Sequence, residues 1–188
     1  ADRLINLVND ILDMESLDDG KITFHFEKLF VADIITSAVE TNLGVAERLN
    51  VIFDVQKPLP NLSISGDADR LSQVMANLLS NAAKFSPEGS CVDISAIQYD
   101  DCARISVVDW GSGISKANRD RIFQRFSQVD SSDTRNVGGT GLGLAISQAV
   151  VANHQGLIDF ISTEGEGSTF FFDIPLYTEP EDDHQIPT

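Results

Sequence analysis

Along the stretch "ADRLSQVMANLLSNAAKFS" (68–86), Gln73, Asn77, Asn81 and Lys84 fall on one side when residues are set 100° apart on a helix. Leu71, Val74, Met75, Leu78, Ala82 and Phe85 fall on the other side. A polar helix face is usually only solvated. Asparagine is a poor helix-interior residue, however, so two of them one turn apart suggest a further task. Their chemistry is that of a neutral oxygen donor. Mg²⁺ takes such oxygens in an octahedron, with one or two from protein and the rest from phosphates and water. A second group is "VVDWGSGI" (107–114), where Asp109 closes a strand beside Gly111 and Gly113. A carboxylate over an apolar floor can accept the exocyclic amino group of adenine, although Asp in this setting is as often a plain turn former. A third group is "NVGGTGLGLAI" (136–146), glycines leading into an apolar run. Glycines ahead of a helix bring backbone N–H groups to a phosphate, yet this spacing matches neither the Gly-Lys-Ser/Thr loop nor the dinucleotide fingerprint. Taken alone the cluster also reads as a flexible loop.

The elements that must position these groups follow from periodicity. Leu4, Leu7, Val8, Ile11 and Met14 form a helical stripe, widened by Ile5 and Leu12, and "LDDGK" stops that helix. "ITFHFEKLF" alternates as a strand, residues 31 to 49 are helical, "VIFDV" is a short strand and "KPLPN" a turn. Asp67 is placed to cap the asparagine-bearing helix. "CVDISAIQYD" and "CARISVVDW" form a hairpin, and a short helix reaches about Phe126. "SQVDSSDTRN" reads as a mobile segment, the helix resumes from Leu142 to Asn153, and "GLIDFIS" with "STFFFDIPL" closes a second hairpin. Helices interleaved with hairpins predict an α/β two-layer sandwich: one mixed sheet covered by helices on one face.

The 188 residues are enough for one good core and a remainder, with 42% hydrophobic and 22% charged residues. A formal net charge of −16 disfavours a nucleic-acid surface, so any bound phosphate calls for a metal ion. The chain has neither a basic-then-apolar leader nor a bilayer-length apolar run, and it reads as cytoplasmic. Cys91 and Cys102 are expected as reduced core residues, with a cross-strand disulfide as the alternative.

In order, "NLLSNAAKF", "DWGSG", "IFQRF", "GGTGLGL" and "GEGSTF" resemble the N, G1, F, G2 and G3 boxes of the catalytic ATP-binding domain of sensor histidine kinases, a domain of the Bergerat-type fold. The resemblance covers residues 20–176. Residues 1–19 are similar to the end of the second helix of the family's dimerisation and phosphoacceptor domain, and 177–188 form an acidic linker. "FSQVDSSDTRNVGGTGLGLAI" is most similar to hybrid members that continue into a receiver domain.

The resemblance implies ATP and Mg²⁺ as cofactors. Asn81 would ligate Mg²⁺, Asn77 and Lys84 would lie near the phosphates, Phe85 would line the pocket edge, and Asp109 would bond adenine in a pocket shaped by Gly111 and Gly113. Gly139, Thr140, Gly141, Leu142 and Gly143 would meet the phosphates, and residues 127–140 would form a lid. Phe123 and Phe126 would anchor its base, although a pair at this spacing equally suits plain core, and Gln128 and Arg135 would belong to it, Gln128 where some members carry Arg. Relatives that hydrolyse ATP carry a glutamate where this chain has Asn77, whose amide cannot act as a base. Transfer to an acceptor therefore fits better than rapid hydrolysis.

The family's acceptor is a histidine in a His-Glu/Asp-Leu-Arg-like context, which none of His25, His154 and His184 has. The expectation is thus a piece of a longer kinase, with any membrane anchor belonging to the parent, that binds ATP but needs an acceptor supplied by its own dimerisation domain. The piece is expected to be monomeric or weakly dimeric and the parent a homodimer that passes phosphate to a receiver domain or response regulator. A hydrolysing ATPase of the same fold and a non-catalytic nucleotide-sensing or partner-binding module remain the alternatives.

Overall fold

The computed structural model describes residues 2–18, 22–127 and 140–179. Helix α1 (Asp2–Asp18) precedes strand β1 (Glu27–Phe30) and helix α2 (Val31–Leu49). Strands β2 (Ile52–Val55) and β3 (Ser63–Gly66) lead to helix α3 (Ala68–Phe85). The hairpin β4 (Cys91–Tyr99) and β5 (Cys102–Asp109) is followed by a 3₁₀ turn at Lys116–Arg121. Helix α4 (Gly143–Asn153) and the hairpin β6 (Leu157–Thr163) and β7 (Gly167–Pro175) complete the domain.

Five strands form one mixed sheet in the order β2-β4-β5-β7-β6, parallel only between β2 and β4. The strict alternation of β5 explains its two faces. Ala103, Ile105 and Val107 are buried against the helices together with Ile94, Phe172 and Ile174, while Arg104, Ser106 and Val108 face away. On that outer face Arg104 makes two 2.7 Å hydrogen bonds to Asp173 and lies between the rings of Tyr99 and Phe171. Helices α2, α3 and α4 cover the other face, as the two-layer expectation requires.

Helix α3 is fixed at both ends by local chemistry. The Asp67 carboxylate accepts from the Arg70 N–H at 3.1 Å, and the chain leaves the helix at Ser86, ahead of Pro87. Leu71, Val74, Met75, Leu78, Leu79, Ala82 and Ala83 are buried along one stripe. Phe85, assigned to that stripe from the sequence, is instead 53% exposed at the last turn of the helix.

Some expectations change. Only Glu27–Phe30 of "ITFHFEKLF" pairs, and it pairs with β3, a strand not anticipated from "SISG", in a separate two-stranded antiparallel sheet. The alternation of Phe24 and Phe26 has another cause: both rings pack on the His154 imidazole at 5.6 and 5.0 Å between centroids. His154 is buried, accepts the Asp67 N–H at its Nε2 (2.9 Å) and sets its Nδ1 2.8 Å from the Val150 carbonyl. The short helix toward Phe126 stops at Arg121 as a 3₁₀ turn, and Phe126 itself has φ 58°, which no right-handed helix accepts. Cys91 is exposed and Cys102 half-buried, both free thiols; they open β4 and β5 at opposite ends of an antiparallel pair. Neither is a core residue.

Of the α1 stripe, Met14 is buried and Leu7 packs on the core, as does Leu17 beyond it, while Val8, Ile11 and Leu12 stay exposed. Leu176 bridges to Ile64, and the Tyr177 N–H donates to the Ser63 carbonyl at 2.8 Å. Lys28 sits over the Tyr177 ring at 4.7 Å and 3.8 Å from the Glu179 carboxylate. The chain therefore enters and leaves the domain on the same small sheet.

Candidate functional site

Three elements carry the residues singled out from the sequence: the polar face of α3, the end of β5 and the start of α4. The Asn77 side-chain amide donates to the Gly143 carbonyl at 2.8 Å and to the Ser147 hydroxyl at 3.2 Å, which ties α3 to the first turns of α4. Gly143 is glycine for a steric reason, since a Cβ there would stand 2.6 Å from the Asn77 side-chain oxygen. Asn81, one turn on, is half-buried and has no hydrogen-bond partner among the described residues. Lys84 is half-buried too. Burial, and then the positive charge of Arg48, pull its ammonium below the usual lysine range. Two cations that feel each other this way are relieved by an anion.

At the other end of this face lies Asp109, 5% exposed. Burial raises its carboxyl above the ordinary value, opposed by hydrogen bonds from the backbone of Gly111 and Ser168. The Gly111 N–H reaches Asp109 Oδ1 at 2.9 Å. A side chain at Gly111 would collide with the Phe85 carbonyl, so the end of β5 is pressed against the end of α3. Gly113, at φ 66°, lies against the Thr163 carbonyl at the end of β6. Ser86, next to Phe85, is 7% exposed, and its hydroxyl has no hydrogen-bond partner among the described residues. A buried hydroxyl without a partner calls for a ligand or an ordered water.

Along α3, the step from Phe85 back to Asn77 is about 12 Å. The buried carboxyl thus stands at one end of the face, and the start of α4, whose N-cap Leu142 makes no side-chain cap bond, at the other. Thr140 donates to the Asp10 carboxylate of α1 at 2.6 Å and accepts the Leu142 N–H at 3.3 Å. Gly141, at φ 73°, packs on the backbone of Phe126, and Leu142 is buried in the core. Phe123 joins an aromatic row with Phe160 and Phe170, at 6.1 and 5.5 Å between centroids, so it is core; Phe126 is exposed. Gln128, Arg135 and Gly139 lie outside the described residues, as does all but Ser127 of the segment read as mobile. A cleft of about 330 Å³ lined by Phe26, Ser65, His154 and Tyr177 belongs to other elements and contains none of these residues.

Two participants escaped the sequence reading. Ser147 left a signal, a lone hydroxyl at i+4 from Gly143 in a mostly apolar helix, now fully buried against Asn77. Ser86 left none, because a serine after a helix reads as a cap.

Fold and site together define a two-layer α/β sandwich whose open site lies between α3, the end of β5 and the start of α4. A family model described as "Histidine kinase-, DNA gyrase B-, and HSP90-like ATPase" matches residues 66–178, and the chain belongs to this family. Its relatives place it among the catalytic ATP-binding domains of sensor histidine kinases. The sensor histidine kinase WalK of Bacillus subtilis is 37% identical over 97% of this chain and 30% of its own length. Full-length ShkA, solved in complex with AMPPNP, superposes with a TM-score of 0.79 at 32% identity, over 94% of this chain and 36% of ShkA. The mycobacterial sensor histidine kinase MprB gives 0.70 at 29% identity, over 80% of this chain and 98% of that structure. The chain spans between 21% and 46% of the length of the first curated relatives it matches. Among the described residues no helix is long and apolar enough to cross a membrane.

Proposed function

We propose that this chain binds ATP along the polar face of α3 and transfers its γ-phosphoryl group to a histidine of a dimerisation domain. Residues 20–176 form the catalytic domain in this reading, residues 1–19 the end of the dimerisation domain's second helix, and residues 177–188 a linker toward a receiver domain or response regulator. The observation that carries it is the pairing of two ends of one helix: a buried carboxyl and an orphaned hydroxyl beside Phe85, and the Asn77-clamped start of α4 about 12 Å away. Adenine bonds Asp109 at the first end, and the phosphates take the Gly141, Leu142 and Gly143 amides at the second.

The donor set suits Mg²⁺. Asn81 supplies one neutral oxygen with no competing partner, and among the described residues no cluster of three His, Cys, Asp or Glu side chains offers a dedicated metal cage. A cation held that way would share its shell with phosphates and water and would supply charge neutralisation to the transferred group. Lys84 adds a cation, and an anion beside it restores its proton affinity.

Asn77 occupies the place where a water-activating base would stand. Its amide is a donor engaged by Gly143 and Ser147, so it neither abstracts a proton nor is free to orient water. That supports transfer over hydrolysis. His154 is no acceptor, being buried with both ring nitrogens in hydrogen-bond contacts.

The test is calorimetric titration with ATP and GTP, each with and without Mg²⁺, followed by phosphotransfer from radiolabelled ATP to a separately supplied dimerisation domain. Selective, Mg²⁺-strengthened ATP binding and a labelled acceptor are expected. Equal binding of ATP and GTP would remove Asp109 from base recognition, and steady phosphate release without acceptor would favour the hydrolase.

A further inference from the structure

Helix α1 is joined to the domain by more than packing. Leu7, Met14 and Leu17 pack on the core, and between them, on the same side of the helix, Asp10 and Asp13 reach two different walls of the candidate site. Asp13 accepts from Gln73 at 2.9 Å and lies 3.5 Å from the Arg70 guanidinium, both on α3. Asp10 accepts the Thr140 hydroxyl at 2.6 Å, and the same hydroxyl accepts the Leu142 N–H at the start of α4. One face of α1 thus grips the asparagine-bearing helix and the amide-bearing turn at once.

The Asp10 carboxylate accordingly stands where an anion is favoured, one hydroxyl away from a free helix N-terminus. While it is there, one of the amides facing that end is spent on Thr140. A phosphate delivered to Gly141–Gly143 brings a second anion to the same place, and like charges this close disfavour each other in partly buried surroundings.

We propose that α1 is an acidic latch, in which the Asp10–Thr140 contact and a bound nucleoside triphosphate oppose each other, so that ATP loosens α1 and a docked α1 weakens ATP. This rests on the reading that α3 and α4 hold the triphosphate. Linkage makes the effect reciprocal: whatever Asp10 takes from ATP affinity, ATP takes from α1 docking.

Two measurements test it on the whole chain. In calorimetric titration with ATP and Mg²⁺, Asp10→Ala is expected to bind on the order of fivefold more tightly than the wild type, the lower end of ordinary coupling between sites. Asp13→Ala, which loosens α1 from the α3 side, shifts affinity in the same direction by a smaller factor. In hydrogen–deuterium exchange, adding ATP and Mg²⁺ to the wild type speeds exchange of the α1 amides. ATP affinity of Asp10→Ala within about twofold of the wild type, well under that coupling range, would overturn the latch, and so would weaker binding or α1 exchange slowed or unchanged by ATP. In those cases Mg²⁺-dependent ATP binding still stands. Failure of the wild type and both variants to bind ATP would overturn the latch together with the reading beneath it.

Discussion

Asn77 is the side chain whose replacement most directly separates the geometry described above from a merely polar helix face. Its amide nitrogen makes two bonds, to the Gly143 carbonyl at 2.8 Å and to the Ser147 hydroxyl at 3.2 Å, and Ser147 is fully buried. Asn77→Ala removes both bonds and leaves a buried hydroxyl and a carbonyl without their donor. At about 1 kcal/mol per bond the loss is about 2 kcal/mol. For a domain of this size that lowers the midpoint of thermal unfolding by about 4–8 °C. Asn77→Asp is nearly isosteric, yet it destabilises more, because its carboxylate has no proton to give and sets a charge against the Gly143 carbonyl. As the pH is lowered the introduced carboxyl is protonated and regains a donor, so the gap between Asn77→Asp and the wild type narrows. Circular dichroism melts of the three proteins across the acid range read all of this without nucleotide. An Asp variant as stable as the wild type at neutral pH, or an Ala variant more damaged than the Asp variant, would refute the donor role of Asn77.

Asn81→Ala is expected to leave the unfolding midpoint unchanged and to abolish the Mg²⁺ dependence of ATP affinity in calorimetry. Asp109 has its carboxyl raised by burial, so its contribution to stability is full below the ordinary value of 3.8 and is lost as pH rises through its folded value. Asp109→Asn therefore gains stability relative to the wild type between acid and neutral pH in urea titrations, while losing its preference for ATP over GTP. His154 has its pKa lowered from 6.5 by burial, so the stability it contributes is present above 6.5 and declines as pH falls through its folded value. His154→Gln flattens that part of the stability–pH curve, which urea midpoints between pH 5 and 7.5 measure.

Much of the architecture was legible because periodicity and capping agreed. Asp67, the apolar stripe of α3 and the strict alternation of β5 each state one structure at the local and the global level. The segment before β1 was misread because Phe24 and Phe26 alternate for a partner, His154, that lies far along the chain, and alternation does not say what a side chain packs on. Strand β3 was missed because "SISG" carries one buried apolar residue, Ile64, and takes its partners from β1. In the site, Asp109 and the two asparagines were visible as unusual residue types in patterned surroundings. That Asn77 is spent on α4, and that Thr140 reaches α1, depends on contacts across 66 and 130 residues, which no local window contains.

The shared sheet at the chain's entry and exit carries a topological consequence. With Leu176 bridged to Ile64, Tyr177 bonded to Ser63 and Lys28 stacked on Tyr177, the domain has the two flanks of a cassette side by side. Without α1, a linker from Glu179 back to the residues before β1, which Lys28 brings beside Glu179, with new ends opened at the exposed Gly89 turn, gives a circular permutant that keeps every strand pairing of the main sheet. Read in the other direction, a pull on the segment after β7 loads the few hydrogen bonds of this ribbon, whereas a pull from the other side must first strip α1 from Gln73, Arg70 and Thr140, so the two tethers of the domain differ in what they break.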